Sequence, residues 1–228
     1  MSQLVYFIGI GGIGMSALAR YFNHNGAKVA GYDRTETPLT QQLVQEGIAV
    51  IYEDDFALVP ETHKNADTLV IYTPAVPKEL GLLTGFRELG LKLHKRSEVL
   101  GLLSQGKYTI AVAGTHGKTT TSSMIAHILT DSGVGCSAFL GGIASNYNTN
   151  TLFGDNDLLV VEADEYDRSF LTLHPDIAIV TSADADHLDI YGDHQALQAS
   201  FKEFLDQTHV GGLRIVHEGL PFQADMYY

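Results

Sequence analysis

Gly114-Thr115-His116-Gly117-Lys118-Thr119-Thr120 places an ammonium group and hydroxyls directly after glycines, the residue types that handle phosphate. In a glycine loop between a strand and a helix, backbone amides cradle phosphate oxygens. Lys118 then reaches the β- and γ-phosphates, and Thr119 offers a hydroxyl to Mg²⁺. The customary spacing G-x-x-x-x-G-K-[ST] asks for glycine at position 112, where this chain has Val112, and Gly114 follows two residues later. The β-rich run Ile110-Ala111-Val112-Ala113 in front of the loop still favours an ATP site over an ordinary helix start.

Two acidic clusters follow continuous apolar runs. Glu162-Ala163-Asp164-Glu165-Tyr166-Asp167 comes after Leu158-Leu159-Val160-Val161, and Asp184-Ala185-Asp186-His187-Leu188-Asp189 comes a few residues after Ile177-Ala178-Ile179-Val180. Phosphoryl transfer needs hard oxygen ligands, or occasionally imidazole, to hold Mg²⁺ against the transferring oxygens. Glu162 and His187 are the candidates for that work. Asp167 and Asp193 read as helix caps or surface acids.

A second glycine loop opens the chain. Gly9, Gly11 and Gly14 match G-x-G-x-x-G, with Val5-Tyr6-Phe7-Ile8 before them and a helical pattern from Met15 to Asn23 after them. Without Cβ atoms, such a loop lets a diphosphate approach the positive end of the helix. Asp33, at the end of the second apolar run, is placed to accept a ribose hydroxyl in a nicotinamide enzyme. From this loop alone a dinucleotide, another diphosphate ligand and a merely tight turn all stay open.

The elements that must carry these residues alternate. Strands are expected at Lys28 to Tyr32, Thr68 to Tyr72, Lys92 to Arg96, Tyr108 to Ala113, Leu158 to Val161, Ile177 to Val180 and Leu213 to Val216. Helices are expected at Ser97 onward with Ser97 as cap, at Thr121 to Leu129 and at Gln195 to Gln207. That order predicts an α/β chain with two parallel sheets. One is Rossmann-like over residues 1–106. The other is a P-loop-type domain over 107–228, after a linker Ser104-Gln105-Gly106-Lys107.

The 228 residues are 45% hydrophobic and 18% charged, a globular composition. A net charge of −13 argues against nucleic acid or an anionic membrane as partner, so phosphate recognition must be local. Cys136 is the single cysteine, which fits a reducing compartment such as the cytoplasm. The uncharged stretch from Leu4 to Ala19 lacks a basic start and is broken by glycines, so it reads as strand, loop and helix rather than a signal peptide.

Taken together, G-T-H-G-K-T-T-T at Gly114 to Thr121, E-A-D-E-Y-D at Glu162 to Asp167 and D-A-D-H-L-D-I-Y at Asp184 to Tyr191 resemble the Mur ligase family in order and spacing. The opening G-I-G-G-I-G-M-S at Gly9 to Ser16 resembles its alanine-adding branch. The resemblance implies that Gly9, Gly11, Gly12, Ile13, Gly14, Met15 and Asp33 hold a UDP-sugar. It implies ATP at Gly114 to Thr120, and magnesium at Thr119, Glu162 and His187. The reaction implied is ATP-dependent joining of L-alanine to the lactyl carboxylate of UDP-N-acetylmuramate in cell-wall synthesis.

The alternatives that stay open are a ligase that joins UDP-N-acetylmuramate to a preformed peptide, whose ATP motifs are much alike, then a nicotinamide-dependent oxidoreductase and a non-catalytic nucleotide-binding module. The family commonly has asparagine where this chain has Ser182, so no role is carried to that position. A complete member also has a C-terminal domain that finishes the amino-acid site. The expectation is therefore an incomplete central domain and no ligase activity from these residues alone; oligomeric state is unknown from sequence.

Overall fold

A computed structural model describes residues 3–185 and 188–228. His187 and Asp186 therefore lie outside the described residues, as do the side chains of Asp167, Leu188 and Asp189. Compact packing divides the chain into a unit ending at Val99 and a unit beginning at Leu100.

The first unit runs β1 (Leu4–Ile8), α1 (Ile13–His24), β2 (Lys28–Tyr32), α2 (Pro38–Gln45), β3 (Ala49–Ile51), β4 (Thr68–Tyr72), α3 (Gly81–Glu88) and β5 (Leu93–Lys95), and enters α4 (Arg96–Ser104). Among the described residues its sheet has the order β3-β2-β1-β4-β5, and every pair is parallel. The central strand β1 is apolar on both faces because helices cover both, and Val5, Tyr6, Phe7 and Ile8 are all buried. One face packs Tyr6, Ile8, Val70, Leu82 and Phe86 into a core cluster.

Helix α4 begins at Arg96, directly after β5, so Ser97 lies inside it and is not its cap. In its first turn the Glu98 carboxylate accepts the Lys95 amide at 2.9 Å.

His63 is buried beneath this sheet, with Nε2 3.0 Å from the Lys28 carbonyl and Nδ1 3.2 Å from the Thr62 hydroxyl. These partners suit the neutral ring with its proton on Nε2. Burial holds the imidazole below its ordinary value. Below the unfolded-state value of about 6.5 the unfolded chain takes up a proton that the folded chain resists, so stability present above that pH is lost as pH falls. His63→Gln should flatten the decline of melting temperature between about pH 7 and pH 5. An identical slope in melts of the two proteins would reject this.

The second unit runs β6 (Tyr108–Ala113), α5 (Lys118–Asp131), β7 (Ser137–Ala144), β8 (Thr149–Leu152), β9 (Leu158–Glu162), a 3₁₀ segment Tyr166–Thr172, β10 (Ile177–Val180), α6 (Leu188–Tyr191), α7 (His194–Asp206), β11 (Leu213–Val216) and β12 (Met226–Tyr227). Its sheet has the order β12-β11-β10-β6-β9-β7-β8. It is mixed rather than purely parallel, because β8 pairs antiparallel with β7. This hairpin is absent from the sequence reading: Gly141-Gly142 sits inside β7 and breaks the pattern that marks a strand. Asp193 caps α7, accepting the Ala196 amide at 2.8 Å. Among the described residues no helix is long and apolar enough to cross a membrane.

Candidate active site

In the first unit the chain leaves β1 and turns at Gly9, whose φ of +86° suits glycine. The amides of Gly9 and Ile10 both donate to the Tyr32 carbonyl, at 2.8 and 2.9 Å, which fixes the loop to the end of β2. A side chain on Gly9 would strike Thr73, and one on Gly14 would lie 2.5 Å from the Arg96 guanidinium. Gly12 precedes α1 without any side-chain cap, so the positive end of the helix lies at the loop.

Asp33 accepts the Gly11 amide at 2.7 Å and the Thr35 amide at 3.2 Å; it braces the loop, with lone pairs to spare for a ligand. Ile13, the first residue of α1, is exposed, whereas Met15 is buried. Gly9, Gly12, Tyr32, Asp33, Arg34 and Thr73 border a cavity of about 340 Å³. That is within the range of small-molecule sites.

In the second unit, β6 ends at Ala113, so Val112 is a fully buried strand residue and the loop starts later than the customary spacing predicts. Gly114 (φ +135°) and Gly117 (φ +81°) take backbone conformations that other residues rarely adopt. Helix α5 begins at Lys118, three residues earlier than the periodicity indicates. Lys118, Thr119 and Thr120 thus form its first turn, again without a side-chain cap. Their amides, with the positive helix end behind them, face the loop.

The neighbours of β6 are β9 on one side and β10 on the other, all parallel. Their carboxyl ends therefore meet the glycine loop along one sheet edge. From β10 comes Ser182, whose hydroxyl accepts the His116 amide at 2.7 Å and lies 2.9 Å from the Thr115 hydroxyl. Thr181 donates to the His116 carbonyl at 2.5 Å, and Thr115 accepts the Asp184 amide at 3.1 Å. The loop apex is thus tied to β10, and the His116 amide is engaged by Ser182. The amides best disposed toward a phosphate are those at the start of α5. His116 itself is largely exposed, 3.9 Å from the Asp184 carboxylate.

From β9 comes Glu162, whose carboxylate accepts the Gly141 amide of β7 at 2.8 Å. Thr119 abuts the next glycine: a Cβ on Gly142 would lie 3.2 Å from its methyl. Gly141 thus lies against the Glu162 carboxylate and Gly142 against the Thr119 methyl. His187, the third expected metal ligand, lies outside the described residues. Among those described, no group of three or more His, Cys, Asp or Glu is arranged to hold a metal. Beside Thr119 and Thr120, a cavity of about 260 Å³ extends to His127, Ile143, Asn146 and Tyr147.

Two groups in this region received no role from sequence reasoning. Ser182 stands where the family commonly has asparagine and was given none. Glu165 lies in the acidic cluster but was not singled out, although its carboxylate sits 2.8 Å from the Lys118 ammonium.

Residues 4–108 match the Mur ligase family catalytic domain, and residues 112–225 match the Mur ligase middle domain. The chain belongs to the Mur ligase family. A UDP-N-acetylmuramate–L-alanine ligase of Flavobacterium psychrophilum is 54% identical over 96% of this chain and 49% of its own length. The enzyme of the same name from Cytophaga hutchinsonii is 57% identical over 92% of this chain and 46% of its own. The chain thus spans about half the length of the curated relatives it matches.

Among solved structures, UDP-N-acetylmuramate-alanine ligase from Thermotoga maritima superposes with a TM-score of 0.86 at 29% identity, over 98% of this chain and 52% of that one. UDP-N-acetylmuramate:L-alanyl-gamma-D-glutamyl-meso-diaminopimelate ligase from Neisseria meningitides gives 0.88 at 26% identity, over 97% and 73%. Both Mur ligase units share the α/β architecture described above.

Proposed function

We propose that this Mur ligase chain supplies the UDP-sugar-binding and ATP-binding parts of a UDP-N-acetylmuramate–L-alanine ligase. One observation carries the reading: the Lys118 loop, Glu162 and the end of β10 converge on one sheet edge, in a chain 54% identical to a ligase of that name. Backbone shape does not distinguish the alanine-adding from the peptide-adding enzyme, since both superpose closely. The higher identity of the alanine-adding relatives and the G-I-G-G-I-G-M-S loop favour the former.

A carboxylate is a poor electrophile, and its oxygen is a poor leaving group. The γ-phosphoryl group of ATP passes to the lactyl carboxylate, and the bond to ADP breaks. The amine of L-alanine then attacks the acyl phosphate, giving the amide and inorganic phosphate. Lys118 and the first-turn amides of α5 stabilise charge as the phosphoryl group moves. The cavity beside Thr119 and Thr120 is where the acceptor carboxylate would approach.

Glu162 and Thr119, two oxygen donors brought to adjacent glycines, fit the hard-ligand preference of Mg²⁺; His187 completes the proposed set. When bound, the ion would neutralise phosphate charge and orient the transferring oxygens.

Calorimetric titration of residues 1–228 should find one site for UDP-N-acetylmuramate and a separate one for ATP that requires Mg²⁺. Glu162→Gln keeps the size of the side chain and removes its charge. It should weaken the magnesium dependence of ATP binding and leave the UDP-sugar isotherm unchanged. Binding of NAD in place of the uridine nucleotide, or an unaltered magnesium titration in the variant, would overturn the corresponding assignment.

A further inference from the structure

Glu165 is a buried carboxylate whose main chain is anchored on several sides. Its carbonyl accepts the Tyr191 hydroxyl at 2.5 Å and the Arg168 amide at 3.0 Å. The 3₁₀ segment that follows is held by Phe170, which packs edge-on to Phe201 at 5.4 Å and stacks on Phe204 at 5.3 Å. The Glu165 side chain is only 1% exposed, and Lys118 is 15% exposed. A charge so buried costs several kcal/mol unless it is paired.

The pairing is close. The Lys118 ammonium lies 2.8 Å from Oε2, donates to Oε1 at 3.0 Å and donates to the Gly114 carbonyl at 2.6 Å. An ammonium has three N–H donors. Two of them are donated to the Glu165 carboxylate and to a loop carbonyl, so an incoming phosphate meets an ammonium whose charge is already shared with Glu165.

We propose that Glu165 is a positioning residue for Lys118. It holds the ammonium over the glycine loop before nucleotide arrives, and it competes with phosphate for that ammonium, so nucleotide binds more weakly than the loop alone would allow. This inference rests on the second glycine loop being the ATP site.

The test is a calorimetric comparison of MgATP binding by wild-type residues 1–228, Glu165→Gln, Lys118→Met and the double variant, each first checked by thermal melting. Glutamine keeps the shape and one acceptor oxygen but removes the competing charge. Glu165→Gln should tighten MgATP by about five- to tenfold, well within the interaction of two unit charges at this separation in a partly hydrated site. The double variant should bind no tighter than Lys118→Met. If Lys118→Met does not fold because Glu165 is left unpaired, the double variant, which removes both charges, becomes the reference, and Glu165→Gln should bind tighter than it.

A merely structural role predicts the reverse, weaker binding in Glu165→Gln, while a lower melting temperature is expected on either reading because Lys118 loses its charged partner. Unchanged or weaker binding in Glu165→Gln, or equal tightening in the Lys118→Met background, overturns the proposal. Failure of the wild-type chain to bind MgATP would instead overturn the ATP-site reading on which it stands, and with it this proposal.

Discussion

Lys118→Ala lowers the rate of acyl-phosphate formation by at least ~100-fold in a protein that extends this chain to the length of its relatives, the scale expected for removing one preorganised charge-stabilising group. The expectation follows from position. Lys118 opens α5 at the end of the glycine loop, and no other cation among the described residues is paired with a buried acid at this loop. UDP-sugar affinity should stay within error, because that ligand is assigned to the β1–α1 loop.

The substitution also strands the Glu165 carboxylate, so a stability loss is expected alongside the catalytic one. Melting curves separate the two effects. Lys118→Ala with Glu165→Gln should recover much of the melting temperature and none of the turnover. Near-normal phosphate release by the single variant would remove Lys118 from the phosphoryl-transfer machinery.

Gly114→Ala is expected to destabilise the second unit by ~2–4 kcal/mol and to abolish measurable MgATP binding, since strain and overlap add at a site tied to the strand beside it. The residue has φ +135°, and a Cβ there would overlap the Thr181 hydroxyl and lie 2.8 Å from the Ser182 amide nitrogen, which is backbone and cannot swing away.

Gly117→Ala is the internal control. Its φ of +81° is also unfavourable, but a Cβ would come no closer than 3.7 Å to Thr181, so only the backbone cost of ~1 kcal/mol is expected. Chemical denaturation and nucleotide titration of both variants check the contrast. Equal effects would mean that the packing of the loop against β10 contributes nothing.

Several of these features were legible in the sequence. Ile177–Val180 and Leu213–Val216 are strands as their apolar runs predict, and Asp193 is the cap that its position before α7 suggests. Such elements are read easily because their signals are local: a buried strand is a short apolar run, and a cap is a carboxylate one residue before a helix. The glycine loops were visible for the same reason, since their glycines, Lys118 and Thr119 are sequence neighbours.

The errors are also local in origin. Gly141-Gly142 hid β7, and Thr119 and Thr120, with their indifferent helix propensity, hid the first turn of α5.

By itself, then, the sequence determined the alternation of strands and helices, the two glycine loops and the identity of the groups able to meet phosphate. It left undetermined which groups meet one another. That depended on β6 lying between β9 and β10, an order set by packing of whole helices and strands and marked by no residue pattern. The order joins Lys118 to Glu165 across 47 positions and Thr115 to Ser182 across 67. The same cause turned Asp33 into the brace of the first loop, because β2 lies beside β1 and brings its end to Gly11. Contacts between residues this far apart form only when the sheet is assembled, so the partners of Lys118, His116 and Gly11 were decided by the tertiary structure alone.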